Sequence, residues 1–567
     1  MRLKDVKSNV RNKLATFSVL QKIYSVVKVK YFAYKKVANF FSNNKSELKV
    51  LIGKEKTGQN ILLATSLGSE LVAWRLESIL APALMQRGNH VEFALCNDLL
   101  PACAACTYER YKDQVSHASD SFQHICDDCF YEASKPLVEA GFVVNDFSSG
   151  LGEQDLMAIK ELSSTIAIDE ISAFMLGEVD VGEHAMAGAL RFFAKASLLR
   201  EEKGEAILRK YFESALITAY VFRRILVERK INVVVLHHGI YVPQGIIGSV
   251  ARELGVRVVA WNIAYRKNRF IFSHNDTYHH TLIDEPVCKW EDLAWPAERD
   301  QQLTDYLKSR WYGDDDWINF NQENPDPSGK TVIKDLGLDE NKPCIAMLTN
   351  VLWDAQLHYP ANAFANMLEW IFATVEYFAV RPELQLVVRV HPAELSGRIK
   401  SRQLVTDEIM KQFPQLPDNI KLIPPAGNIS SYDLVSVSNA ALIYGTKMGV
   451  ELSASGVPVI VAGEAWIRGK GVTLDAKTRD DFIGMLNKLP FAAPPHKKIV
   501  SRAKRYAYHF FFRRMIPLNV VEESSGWPPF DIGAKTLQDL SPGIDLGLDV
   551  ICDGIASGSD FIYDENN

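Results

Sequence analysis

Two strand, turn and helix units between Leu386 and Gly471 carry the residues best spaced for chemistry: LVVRVHPAE, then NISSYD, then AALIYGTKMGVELSASGVPVIVAG. In open α/β sheets ligands bind where strands end and helices begin. His391 follows a buried-strand pattern and precedes Pro392, which prevents simple continuation of the strand, so its imidazole aims at such a crevice. The same dipeptide also fits an ordinary hydrogen-bonded His-Pro turn. At Gly445, Thr446 and Lys447 a strand gives way to a helix, and amide donors, a hydroxyl and a cation can converge on a phosphate. A plain turn with a solvated lysine fits the same residues. Ser430 and Ser431 add hydroxyls. Glu451, among small residues of the following helix, could accept two ribose hydroxyls or lie on a solvated face. Arg468 and Lys470, in the glycine-bearing loop EAWIRGKG, could close over a phosphate or an acidic sugar.

The most specific local pattern is Cys103-x2-Cys106, nineteen intervening residues, then Cys126-x2-Cys129. Each pair can present two sulfurs to one point, and tetrahedral Zn2+ accepts four thiolates. With no open position such a zinc would be structural, and no catalytic metal is expected. An iron-sulfur cluster uses the same ligands.

Earlier in the chain ILLATSLGSE reads as a strand ending in a turn, which makes Glu70 a candidate general base or a helix-capping glutamate. Ile231 to Leu236 ends in His237 and His238, which could touch substrate or act as base, His238 being the candidate catalytic residue. On a strand the two side chains diverge, which argues against a shared ion. HNDTYHH, from His274 to His280, reads as a polar loop at a cleft.

The elements that must position these groups alternate strand and helix in two blocks. Residues 46–325 form the first, with a cysteine insert at 96–130, and PDPSG (325–329) reads as the linker. Residues 330–496 form the second. A basic-aromatic helix follows within 497–530, its FFFRR core a candidate membrane contact. The tail, 531–567, has seven acids and one base from Lys535 onward and reads as loosely ordered.

Residues 1–36 hold ten Lys or Arg and one acid, with apolar residues at Phe17, Leu20, Tyr24, Val27 and Tyr31. That spacing makes a basic amphipathic helix, assigned here with its polar linker to 1–45. Its lysines interrupt any spanning window, so it suits an anionic leaflet or the protein's own surface. The full chain, 47% hydrophobic and 23% charged, is of ordinary globular composition, and its net charge of -6 argues against nucleic acid.

RVHPAE, Ser430 and Ser431, YGTKMGVE and GVPVIVAG, in this order, resemble the carboxyl-terminal half of bacterial capsular polysaccharide biosynthesis proteins of the GT-B glycosyltransferase type. TNVLWDAQ, from Thr349 to Gln356, extends the likeness. The His-Pro pair also resembles that of bacterial transferases using CMP-activated sugars. The resemblance implies an α/β GT-B fold, two Rossmann-like domains facing a central cleft, with the basic helix and the four-cysteine insertion as additions. It implies transfer from a nucleotide-sugar donor, CMP-sugars included, to a glycan or glycolipid acceptor, with Glu451 holding the ribose and metal-independent chemistry. The expected setting is cytoplasmic, peripheral on the inner face of the membrane. A polyol-phosphate transferase, a nucleotide-sugar epimerase or a non-catalytic assembly subunit of the same fold are the alternatives.

Overall fold

The structure, a computed structural model, describes residues 34–108, 123–313, 315–317, 326, 328–354 and 359–564. The basic segment up to residue 33, Gln356 and parts of the linker lie outside the described residues.

The first unit is built on β1 (Asn60–Ser66), β2 (His90–Leu95), β3 (Val144–Asp146), β4 (Val233–His237), β5 (Arg257–Ile263) and β6 (Arg269–His274). The second is built on β7 (Cys344–Leu348), β8 (Gln385–Arg389), β9 (Ile420–Ile423), β10 (Ser438–Ile443), β11 (Val459–Val461) and β12 (Leu474–Asp475). Their residues are apolar on both faces, as in Ile61, Leu62, Leu63 and Ala64, which are fully buried. Strands buried on both sides suit parallel sheets with helices on each face.

The second sheet runs β12-β11-β10-β7-β8-β9 and is parallel throughout. This is the order of a doubly wound dinucleotide-type fold, with its topological switch between β7 and β10. The first sheet has the same switch between β1 and β4, in the order β6-β5-β4-β1-β2-β3, with β6 antiparallel to β5. Loops after β1 and β4 therefore face the same cleft as loops after β7, β8 and β10. The chain is α/β, with two Rossmann-like units facing a central cleft in the GT-B arrangement.

Helix Lys497–Tyr508 continues into a wider turn, His509–Arg513, and the chain then returns to the first unit. There β13 (Ile516–Pro517) pairs antiparallel with β6. Phe510 and Phe511 are fully buried and Phe512 nearly so, with the Arg266 guanidinium 4.1 Å from the centre of the Phe512 ring. The FFFRR core is thus packed inside the protein, and its aromatics are not available to a membrane.

Both ends of the chain differ from the sequence reading. Residues 34–43 and Lys45–Gly53 are helical, with Val37, Phe40, Phe41 and Leu48 in the core. There is no polar linker at Ser42 to Glu47. The break at Asn44 is instead a buried joint, whose side-chain amide donates to Phe40 O and Lys535 O and whose carbonyl accepts from Leu537 N. The acidic tail is also ordered. After β14 (Val521–Glu523) and β15 (Phe530–Ile532), helix Leu546–Ser557 buries Leu548, Ile551, Cys552 and Ile555. Its acids have structural partners: Asp545 caps the helix and Asp549 pairs with Arg87.

Candidate active-site cleft

A cleft of about 970 Å³ lies between the two switch points. On the second unit's wall His391 follows β8. Its backbone N–H donates to Thr349 Oγ1 at 3.3 Å, and its Nδ1 accepts from Ala393 N–H at 3.1 Å. A neutral ring with Nδ1 accepting carries its proton on Nε2. Withdrawal from water, helped by Lys447 and Arg389, pushes its pKa down to about 4. At neutral pH His391 is therefore an uncharged Nε2–H donor on the cleft wall.

The turn after β10 places Gly445, Thr446 and Lys447 along the same wall. Gly445 N–H reaches Asn350 Oδ1 at 3.4 Å, and Thr446 Oγ1 accepts from Met448 N–H at 3.3 Å, leaving the hydroxyl proton free to donate elsewhere. Lys447 Nζ lies 4.6 Å from the centre of the Tyr265 ring and 3.4 Å from Glu451 Oε1. Ser431 lines the cleft. Ser430 does so too, but its hydroxyl caps the helix Ser431–Ser436 by accepting from Asp433 N–H at 3.0 Å. Part of its capacity is spent on the backbone.

Three residues read from the sequence as donor ligands do something else. Glu451 is buried and absent from the cleft lining. Tyr432 Oη donates to it at 2.6 Å, and the Arg310 guanidinium is 2.9 Å away. Burial alone would raise its pKa, yet Arg310 and Lys447 hold it down at about 2. Its oxygens face Tyr432, Arg310 and Lys447, so it orders the cleft wall from behind and does not stand where the sequence reading put a ribose. Arg468 is also buried and donates to Gly463 O at 3.1 Å and Ala476 O at 2.8 Å. Lys470 likewise donates to Ile283 O and Glu285 O. The loop they occupy is tied down by backbone carbonyls, and neither cation lines the cleft.

On the first unit's wall Glu70 follows β1 at the N-cap position of helix Leu71–Gln86, without a side-chain capping bond. It faces the cleft. His237 is buried, its ring 4.8 Å from Trp261 and its Nε2 3.2 Å from Asn262 Oδ1. His238 adopts φ 69°, a left-handed conformation that costs energy in a residue with a side chain. Its ring sits between Tyr241 and His279, at 5.2 and 5.5 Å. Burial, then His279, His237 and Arg191, push its pKa well below 6.5, which leaves it a weak base. His279 is pushed down to about 3, again by burial first and His280 second. His274, by contrast, closes β6 and stacks on Phe561, away from the cleft lining.

Some cleft residues went unread in the sequence. Arg310 and Asp316 form a buried ion pair beside Tyr306. Tyr241 Oη donates across the cleft to Asp354 Oδ1 at 2.9 Å, joining the two walls. Arg191 and Arg398 also face the opening.

Of the paired cysteines, Cys129 lies next to the loop that carries Glu70. Cys129 Sγ accepts from Ser69 N–H at 3.1 Å, and a Cβ at Gly68 would stand 1.9 Å from Cys129 O. Only glycine permits that approach. Cys103 is in contact with Cys106, which, with burial, raises its thiol pKa. Among the described residues no three metal-binding side chains are gathered as ligands of one ion.

Residues 322–487, which include every second-unit residue discussed above as a donor contact, match the family described as "Capsule polysaccharide biosynthesis protein". Among curated proteins none matches the chain. Similar solved structures include the KpsC beta Kdo 2,4 transferase of Thermosulfurimonas dismutans, at 16% identity over 48% of this chain and 79% of that one, with a TM-score of 0.30. The KpsC beta Kdo 2,7 transferase of the same organism aligns at 13% identity over 57% and 88%, with a TM-score of 0.31. A putative UDP-N-acetylglucosamine 2-epimerase from Listeria monocytogenes aligns at 10% identity over 89% and 98%, with a TM-score of 0.27.

Proposed function

We propose that this protein transfers a glycosyl group from a nucleotide-activated sugar to a glycan or glycolipid acceptor during capsule polysaccharide synthesis. The observation that carries this reading is the opposition of the two switch points. One wall offers the neutral Nε2–H of His391, the Thr446 hydroxyl and Lys447; the other offers Glu70 with no capping bond to make. As the acceptor oxygen bonds to the anomeric carbon, its proton passes to Glu70. The bond from that carbon to the phosphate oxygen breaks, and the electron pair stays on the phosphate. Positioned donors that meet this growing charge lower the barrier without a metal. His391, Thr446 and Lys447 fill that role here, and CMP-sugars are the donors to try first.

The test is nucleotide release from CMP-, UDP- and GDP-sugars with and without a capsular oligosaccharide acceptor. Acceptor-dependent release from one donor class, lost in Glu70→Gln, is expected. No release from any donor with any acceptor would refute transferase activity.

Residues 1–33 would tether this cleft to the inner leaflet through their basic face. Among the described residues no helix is long and apolar enough to cross a membrane. Deleting 1–33 should abolish sedimentation with anionic vesicles at low salt while leaving the core folded. Equal sedimentation of both forms would contradict the tether. The four paired cysteines would hold one structural Zn2+, drawn together beside Gly68 and Ser69, so that the metal stiffens the loop bearing Glu70.

A further inference from the structure

The charge on the cleft walls is unevenly satisfied. Lys447 is answered by Glu451 and Arg310 by Asp316 and Glu451. Arg191 and Arg398 have no carboxylate within ion-pair distance among the described residues. Arg191 stands at the end of helix Val181–Phe193 on the first unit and Arg398 on the loop after the His-Pro turn of the second. Arg191 spends one nitrogen on Ala104 O at 2.6 Å and lies over the Tyr241 ring. A guanidinium has five N–H donors, so most remain. The Arg398 guanidinium lies 5.1 Å from the centre of the Trp527 ring, which is 40% exposed on the cleft lining.

These groups sense one another. Burial first lowers the pKa values of Arg398 and His237; Glu70 opposes this in both, and Arg191 adds to it in Arg398. Both arginines line the same cleft as Glu70, and neither is ion-paired among the described residues, so their charge is unanswered there. An arginine fork is also the geometry that binds a planar or tetrahedral oxyanion through paired hydrogen bonds.

We propose that Arg191 and Arg398 form an oxyanion subsite for the acceptor, so that the sugar receiving the glycosyl group carries a carboxylate or a phosphate. The acidic group spans the two arginines, the sugar ring lies on the Trp527 face, and its hydroxyl points to Glu70. Because one arginine comes from each unit, the acceptor itself helps draw the walls together. This assignment rests on the transferase reading of the cleft but tests separately from it.

Glucuronate and glycerol 1-phosphate, each beside its neutral counterpart, glucose or glycerol, serve as probes by calorimetry or ligand-observed NMR on the full chain. At least one acid should bind where its neutral counterpart does not, and the acid that binds identifies the source as carboxylate or phosphate. Arg191→Gln and Arg398→Gln should each weaken that binding by about tenfold or more while leaving binding of CMP, UDP and GDP unchanged. Arg398→Lys should recover part of the loss. Acids and neutrals binding alike, or no acid binding while a nucleotide still does, would overturn the subsite. A tenfold loss of nucleotide binding in the glutamine variants would overturn it as well, by assigning the arginines to the donor.

Discussion

Arg310 Nε lies 2.9 Å from Glu451 Oε2, and both side chains are only 4% exposed. Arg310 precedes the linker and Glu451 lies in the second unit, so the pair fastens the segment after helix Ala297–Ser309 beneath the turn that carries Lys447. Removing one partner of a buried ion pair strands the other and costs about 3–5 kcal/mol. Glu451→Gln and Arg310→Gln should each lower the thermal transition markedly, and the double variant should lose less than the sum, because the groups are coupled. Glu451→Gln with wild-type stability but no nucleotide binding would instead return Glu451 to a ligand role.

His391 occupies the cleft wall and not a core, so His391→Ala should leave the thermal transition nearly unchanged. Turnover should fall on the order of 100-fold, the usual cost of one lost charge-stabilising donor. His391→Gln, which keeps an N–H donor, should recover part of it. A large drop in melting temperature in His391→Ala would mark the ring as structural.

Acid should destabilise the fold through the cleft histidines. His238, His279 and His391 all have folded pKa values below 6.5, with His279 near 3 and His391 near 4. The unfolded chain therefore takes up protons first as pH falls. The stability they contribute is complete above about 6.5, the ordinary histidine value, and is lost as pH drops toward their folded values. Between about pH 6.5 and 4 the melting temperature of His391→Ala should decline less steeply than that of the wild type. An equally steep decline in the variant would contradict the assignment for His391.

Protein purified without added zinc should carry about one Zn2+ per chain. Strong chelation should make Cys103, Cys106, Cys126 and Cys129 reactive and slow the enzyme, by loosening the Gly68 to Glu70 loop and not by removing a catalytic ion. Metal-free protein with all four thiols freely reactive and full activity would rule the site out.

How far the sequence carries the reader depends on whether a signal is local. Strand ends at His391, Thr446 and Glu70 are legible because buried runs, glycine and proline punctuate the chain within a few residues. Glu451 sits in an equally legible helix and Arg468 in an equally legible turn, yet their partners are Arg310, far back in the chain, and backbone carbonyls that carry no sequence signature. Arg191 and Arg398 are single arginines that only the fold brings to one cleft. The tail is a different case. Its acids suggested disorder, but Leu548, Ile551, Cys552 and Ile555 already show the spacing of a helix with one buried face, and that face covers the first unit. Likewise Tyr34, Val37, Phe40 and Phe41 carry a helical stripe, which is buried in the protein core.

The central claim is that a nucleotide binds the wall built by His391, Thr446 and Lys447. Its most direct test is calorimetric titration of CMP, UDP and GDP into the wild-type chain, Thr446→Val and Lys447→Met. One nucleotide should bind the wild type, and each variant should weaken that binding by about tenfold or more, as expected for a lost hydrogen bond to a charged group. Failure of all three nucleotides to bind the folded wild type, or undiminished binding in both variants, would contradict it.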